Sequence, residues 1–150
     1  MGYYVNIEEA NFRLPHEKLK EAHEALIALD ITHHDEKRGG SWSGGKQTEK
    51  WFSWMPMDYA TSLESAQQIL EKLGFEIELD DEGNLMITNY DSKRGQEELF
   101  LSALAPFVNE GSYINWIGED YQRWQNYFDG KKMIVKDGYV IYAEVQHEEA

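Results

Sequence analysis

Residues 97–108 read EELFLSALAPFV, and residues 111–145 read GSYINWIGEDYQRWQNYFDGKKMIVKDGYVIYAEV. The first run places Leu99, Phe100, Leu101, Ala103, Leu104, Phe107 and Val108 around most of a helix's girth, which predicts a largely covered helix. Pro106 tightens or ends its last turn. In the second run the period drops to two. Ile114 and Trp116 alternate with Tyr113, Asn115 and Ile117; Trp124 and Phe128 alternate with Arg123, Gln125 and Tyr127; Tyr139 and Ile141 alternate with Val140 and Tyr142. Gly118-Glu119-Asp120, Asp129-Gly130 and Asp137-Gly138 supply turn signals at the spacing of a meander. The expected fold is therefore α+β: a mainly antiparallel sheet with a C-terminal four-strand meander, and about three helices packed on one face.

Upstream, Tyr3 to Ile7 is short and β-prone and reads as a first strand. Pro15 suits a first helical position, and His16 to Leu29 runs on as a helix with Leu19, Ala22, Leu26 and Leu29 on one face. His23 lies at the border of that face, as a packing residue. Thr32 to Lys50, with two Gly pairs and mixed charge, reads as one long loop. Trp51 to Met57 reads as a strand stopped by Pro56. Thr61 and Glu64 have capping-box spacing for a helix that ends at Gly74. Phe75, Ile77 and Leu79 then alternate with Glu76, Glu78 and Asp80, and Leu85 to Tyr90 returns as the partner strand.

A chain of 150 residues with 41% hydrophobic and 28% charged residues predicts one domain over 1–150. The absence of cysteine excludes a disulfide framework, a thiolate nucleophile and a cysteine-ligated metal, and suits a cytoplasmic setting. The N-terminus lacks a basic start and a long apolar run, so no signal peptide is expected, and no apolar window is long enough for a membrane helix. The net charge of −14 repels nucleic acid and anionic membranes and attracts basic proteins.

Candidate sites follow from pattern. Gly40 to Lys46 satisfies GxxxxGK, but Gln47 stands where a phosphate-binding loop needs Ser or Thr, and the flanking strand and helix are missing. His33-His34-Asp35-Glu36 carries ligand-type residues in a flexible run that cannot close a rigid coordination shell, so no metal and no cofactor are expected. Glu76, Glu78, Asp80, Asp81 and Glu82 form the most acidic patch, with no Lys or Arg among them; Glu119 and Asp120 extend the acidic set at a later turn. Such a row serves solubility, or imitates a phosphate backbone toward a basic partner. Trp42, Lys46, Trp51 and Trp54 around the Gly-rich loop, with Tyr113, Arg123 and Tyr127 on the second sheet face, have the composition of a ligand or interface surface. That aromatic sheet face could equally serve a symmetric dimer. No nucleophile–base motif names a catalytic residue.

Gly111-Ser112-Tyr113-Ile114, Gly118-Glu119-Asp120, Trp124, Phe128 and Gly130, with the GYYV start and the LGFEIELDDEGNL hairpin, resemble small acidic proteins encoded by bacteriophages and mobile elements. The resemblance implies a small intracellular accessory protein acting on a host system, and it assigns no chemistry. The leading expectation is thus a non-enzymatic, phage-type accessory or anti-defence inhibitor that binds a basic surface of a host nucleic-acid-handling protein, with no direct contact to nucleic acid or membrane. The alternative is a pocket that holds a nucleotide-like or aromatic ligand between the sheet and the Gly-rich loop. A hydrolase drawing Glu, Asp and His from separate loops ranks last.

Overall fold

The computed structural model describes residues 2–145. It is α+β, mainly antiparallel, with four α-helices and a C-terminal meander. The first strand, β1, is much longer than Tyr3 to Ile7: it runs Tyr4–Leu14 and spans 11 residues. After Pro15 a short 3-10 turn leads into α1 (Leu19–Thr32). Next come β2 (Gly39–Ser43) and β3 (Lys46–Trp51), α2 (Tyr59–Ser62), α3 (Ala66–Leu73), β4 (Glu76–Leu79), β5 (Leu85–Asn89), β6 (Asp91–Lys93) and α4 (Glu97–Leu104). The chain closes with β7 (Tyr113–Gly118), β8 (Arg123–Phe128) and β9 (Met133–Gly138).

The main sheet has the order β4-β5-β1-β7-β8-β9, with β6 also on β1. Every pairing in it is antiparallel. One edge of β1 carries β6 opposite Tyr4–Asn6 and β5 opposite Phe12–Leu14; the other edge carries β7 from Val5 to Asn11. The core face of the sheet presents Val5, Phe12, Leu14, Leu85, Ile87, Ile114, Trp116, Trp124 and Phe128, all buried against Leu26, Leu29, Ile69, Leu70, Phe100 and Leu104 of the helices. Aromatic rings fill the joints. Phe100 meets Phe52 and Tyr59 edge-on at 5.2 and 5.8 Å, and Trp116 stacks on Trp124 at 6.2 Å while Phe75 and Tyr90 meet it at its edges. Asn126 is fully buried among them and accepts from Trp116 Nε1 at 2.7 Å.

Several sequence expectations change. Thr32 to Lys50 is not a loop. A 3-10 turn at His34–Glu36 precedes a separate two-stranded hairpin of β2 and β3. Gly44 and Gly45, at φ 60° and 78°, form its two-residue turn, where L side chains are strained. Trp51 lies directly on Gly39, leaving no room for a Cβ there. The strand expected at Trp51 to Met57 ends at Trp51, because Phe52 and Met55 turn inward into the core. The helix expected from Thr61 is two pieces. Ser65, not Thr61, caps α3 by accepting from Gln68 N at 3.1 Å. The meander has three strands: Gly138 stays in the ladder opposite Arg123, so the Asp137-Gly138 turn is not made and residues 139–145 form no strand.

Phe100→Ala should cost about 3–5 kcal/mol in urea denaturation, because the ring is fully buried among three elements. A loss below about 1 kcal/mol would show that the Phe52–Tyr59–Phe100 cluster does not carry the helix layer.

Candidate functional site

The seven acidic candidates do not share one surface. Gly118, at the β7–β8 turn, pairs with Val5 at the start of β1, whereas Leu85, at the β4–β5 turn, pairs with Leu14 at its end. At about 3.3 Å per residue these turns lie roughly 30 Å apart. Glu119 and Asp120 are therefore remote from the group at β4.

Local structure also occupies some of the carboxylates. Asp80 closes the β4–β5 turn: it accepts from Glu82 N at 2.9 Å, from Asn84 N at 3.0 Å and from the Asn84 side-chain amide at 3.0 Å. Arg13 of β1 approaches it at 3.8 Å. The Asn84 amide, first among these, holds the Asp80 carboxyl below the usual carboxylate range. At the far end Asp120 accepts from the Tyr3 hydroxyl and from Gln122 N, and Glu119 accepts from Tyr4 N at 3.1 Å. The Tyr3 hydrogen bond holds Asp120 low and lifts the Tyr3 phenol to about 12. Asp80 and Asp120 build their own turns, and Glu119 ties its turn to the start of β1. Glu76, Glu78, Asp81 and Glu82 remain exposed, and none forms an ion pair with a described Lys, Arg or His. They flank Leu79, which is 51% exposed on β4, a strand that among the described residues pairs only with β5 and leaves its other edge open.

The aromatic candidates split into two groups. Trp42 stands 68% exposed near the tip of the β2–β3 hairpin, with Lys46 beside it. Trp51 covers Gly39 at the hairpin root, and the indole of Trp54, at φ 70°, lies on Gly95. The clefts beside the hairpin contain none of these four residues: one of about 620 Å³ is lined by Glu36, Arg38, Arg94, Gln96, Glu98 and Leu99, and one of about 450 Å³ by Asp30, His34, Lys37, Lys50 and neighbours. Tyr113 and Tyr127 do meet, on the outer sheet face, with Arg123 farther along β8 opposite Ile117. Tyr113 and Tyr127 are direct cross-strand partners, Tyr113 donates to Glu9, Arg123 Nε donates to Glu8 at 2.9 Å, and the Lys136 ammonium sits 4.3 Å from the Tyr127 ring. The Tyr113 hydroxyl and the Arg123 guanidinium are thus engaged by the two carboxylates of β1.

The larger cleft escaped sequence reasoning because its members are distant in the chain. Gln96 is its buried hinge. Its Oε1 accepts from Arg38 N at 3.2 Å and Ser53 N at 3.1 Å, and its Nε2 donates to the Glu36 carbonyl at 2.7 Å. Arg94 pairs with Glu98 at 3.2 Å and lies 4.9 Å over the Trp124 ring. Arg38 and Arg94 face Glu36 and Glu98 there, so the lining is charge-balanced and offers no nucleophile–base pair. His33 contacts Glu36 at 3.6 Å and His34 contacts Lys37, so the acidic-histidine run is engaged locally; among the described residues no group of three or more His, Asp or Glu could hold a metal ion. His23 meets its expected role, with Nε2 donating to the Leu63 carbonyl at 3.0 Å. No helix of the described residues is long and apolar enough to cross a membrane.

Glu97, beside Gln96, is buried and accepts from Gly95 N at 2.8 Å. Burial pushes its carboxyl above the usual range. Between the unfolded chain's value of about 4.3 and the raised folded one, the folded chain keeps a proton that the unfolded chain has released, so this part of the stability is lost as pH rises through the folded value. In urea titrations between about pH 4 and about pH 8, wild type should lose stability relative to Glu97→Gln as pH rises; parallel profiles would show that the ionised side chain carries no penalty.

In comparisons with known proteins, no family model, no curated protein and no solved structure matches this chain.

Proposed function

We propose that this chain is a non-enzymatic acidic docking module, of the phage-type accessory or anti-defence kind, whose β4 end binds a basic surface on a host nucleic-acid-handling protein. The single observation that supports it is the set of four exposed carboxylates without an ion-pair partner among the described residues, Glu76 and Glu78 on the free edge strand β4 and Asp81 and Glu82 on the turn that follows it, in a chain with net charge −14. A concentrated field of one sign speeds encounter with a basic partner and suppresses acidic ones. Exposed Leu79 between the carboxylates adds an apolar contact, and the open backbone edge of β4 adds hydrogen-bonding groups. The footprint is smaller than the acidic composition implies: Asp80, Glu119 and Asp120 serve turns, and the pocket alternative gains no shared lining from Trp42, Lys46, Trp51 and Trp54.

The test is capture from bacterial lysate by the full chain. Wild type should retain one basic protein at low salt and release it as salt rises. A variant with Glu76→Gln, Glu78→Gln, Asp81→Asn and Glu82→Gln should hold at least roughly ten-fold less of it, and Glu119→Gln should hold as much as wild type. Equal retention by the four-site variant, or capture of nothing specific by wild type, refutes the reading.

A further inference from the structure

The opposite edge of the sheet is open too. β9 pairs only with β8, and beyond Gly138 the chain continues as Tyr139-Val140-Ile141-Tyr142-Ala143-Glu144-Val145. This composition is β-branched and aromatic, yet Tyr139, Ile141 and Tyr142 are 79%, 84% and 93% exposed. Because Gly138 remains in register with Arg123, no turn at Asp137-Gly138 folds the segment back along β9. It has strand chemistry and, among the described residues, no strand that pairs with it.

We infer that residues 135–145 pair antiparallel with the same residues of a second copy, about a twofold axis at Val140, joining two sheets edge to edge. The sequence is self-complementary in this register. Lys136 faces the partner's Glu144, and Glu144 faces the partner's Lys136; Val135 faces Val145 and Tyr139 faces Ile141 in the same way. Tyr142 falls opposite Gly138, where a ring covers the backbone that glycine leaves bare. Centring one residue earlier puts Lys136 opposite Tyr142 and Glu144 opposite Ile134; one residue later puts Glu144 opposite Gly138 and Asp137 opposite Val145. Of these three registers only the one centred at Val140 pairs Lys136 with Glu144, and it sets Asp137 opposite Ala143. It also keeps Lys136 on the outer face, where it already lies against Tyr127. This contact uses the sheet edge, not the aromatic face, and it is independent of the acidic docking edge at β4.

Sedimentation velocity of the full chain reads the proposal directly. Wild type should dimerise. Lys136→Glu and Glu144→Lys should each weaken the dimer roughly ten-fold or more, since each replaces two attractive pairs by two like-charge pairs, and the double exchange should restore it to within roughly three-fold. Both side chains are exposed, and circular dichroism checks that each variant is folded. The chain has no cysteine, so single introductions are informative. Under mild oxidation Val140→Cys should form a disulfide-linked dimer, because the two copies of that position meet at roughly 5 Å. Val145→Cys should not, since its two copies are roughly 30 Å apart in this register. A monomeric wild type, failure of the double exchange to restore the dimer, or equal cross-linking at both positions overturns the inference.

Discussion

The ladder on both sides of β1 is the constraint on which the other elements depend. β5 and β6 share one of its edges and β7 takes the other, so the two ends of the chain meet through this one strand. Its side chains must therefore alternate correctly over its whole length. Strict alternation from Val5 and Ile7 would send Glu9 into the core. A bulge between Ile7 and Glu9 inserts one residue, so that Glu8 and Glu9 both leave the core face and Ala10, Phe12 and Leu14 return to it. The displaced carboxylates then find partners outside: Glu8 binds Arg123 and Glu9 accepts from Tyr113. One bulge thus fixes both the core register and the polar network on the outer face.

The same bulge explains what the sequence could and could not disclose. Helix α4, the alternation of β7 and β8, and the β4–β5 hairpin are legible because each follows its own period without interruption. The second half of β1 is not, because Glu8-Glu9 breaks the alternation just where the strand continues. The β2–β3 hairpin is hidden for a different reason. It forms a sheet of its own with no fully buried residue, so no apolar alternation marks it, and its glycines report cross-strand crowding and a tight turn instead of a loop.

Of the candidate site, sequence showed the carboxylates but not their neighbours. Residue spacing places Glu76, Glu78 and Asp80 on one strand face, yet it cannot show that Arg13 arrives beside Asp80 from a strand more than sixty positions earlier, or that Asp80 is consumed by its own turn. Nor can it show that Glu119 and Asp120 sit at the opposite end of β1. Short-range acidic signals of the Asp-Glu-Gly or Gly-Glu-Asp kind are ambiguous by nature, because the oxygen that makes a free carboxylate attractive to a partner is the same oxygen that satisfies turn amides. Gln96 is the mirror case: an unremarkable residue in sequence whose amide joins three segments once the chain is folded.

The two free edges of the sheet are guarded in opposite ways. On β4 the residues flanking the ladder are Glu76 and Glu78, so a second copy approaching antiparallel brings carboxylate against carboxylate, and like charges opposite one another destabilise the pair. That edge disfavours its own kind, and under the proposed function it faces a surface of positive charge. On β9 the guarding residue is Lys136, and the cation is answered by Glu144 in the exposed segment that follows. There the same rule of cross-strand charge favours the chain's own copy, while the overall charge of −14 opposes close approach and limits the contact to a short, matched stretch. A sheet with one edge repelling itself and the other complementary to itself can assemble in pairs without growing into a fibre, since pairing through β9 leaves only acidic β4 edges facing outward.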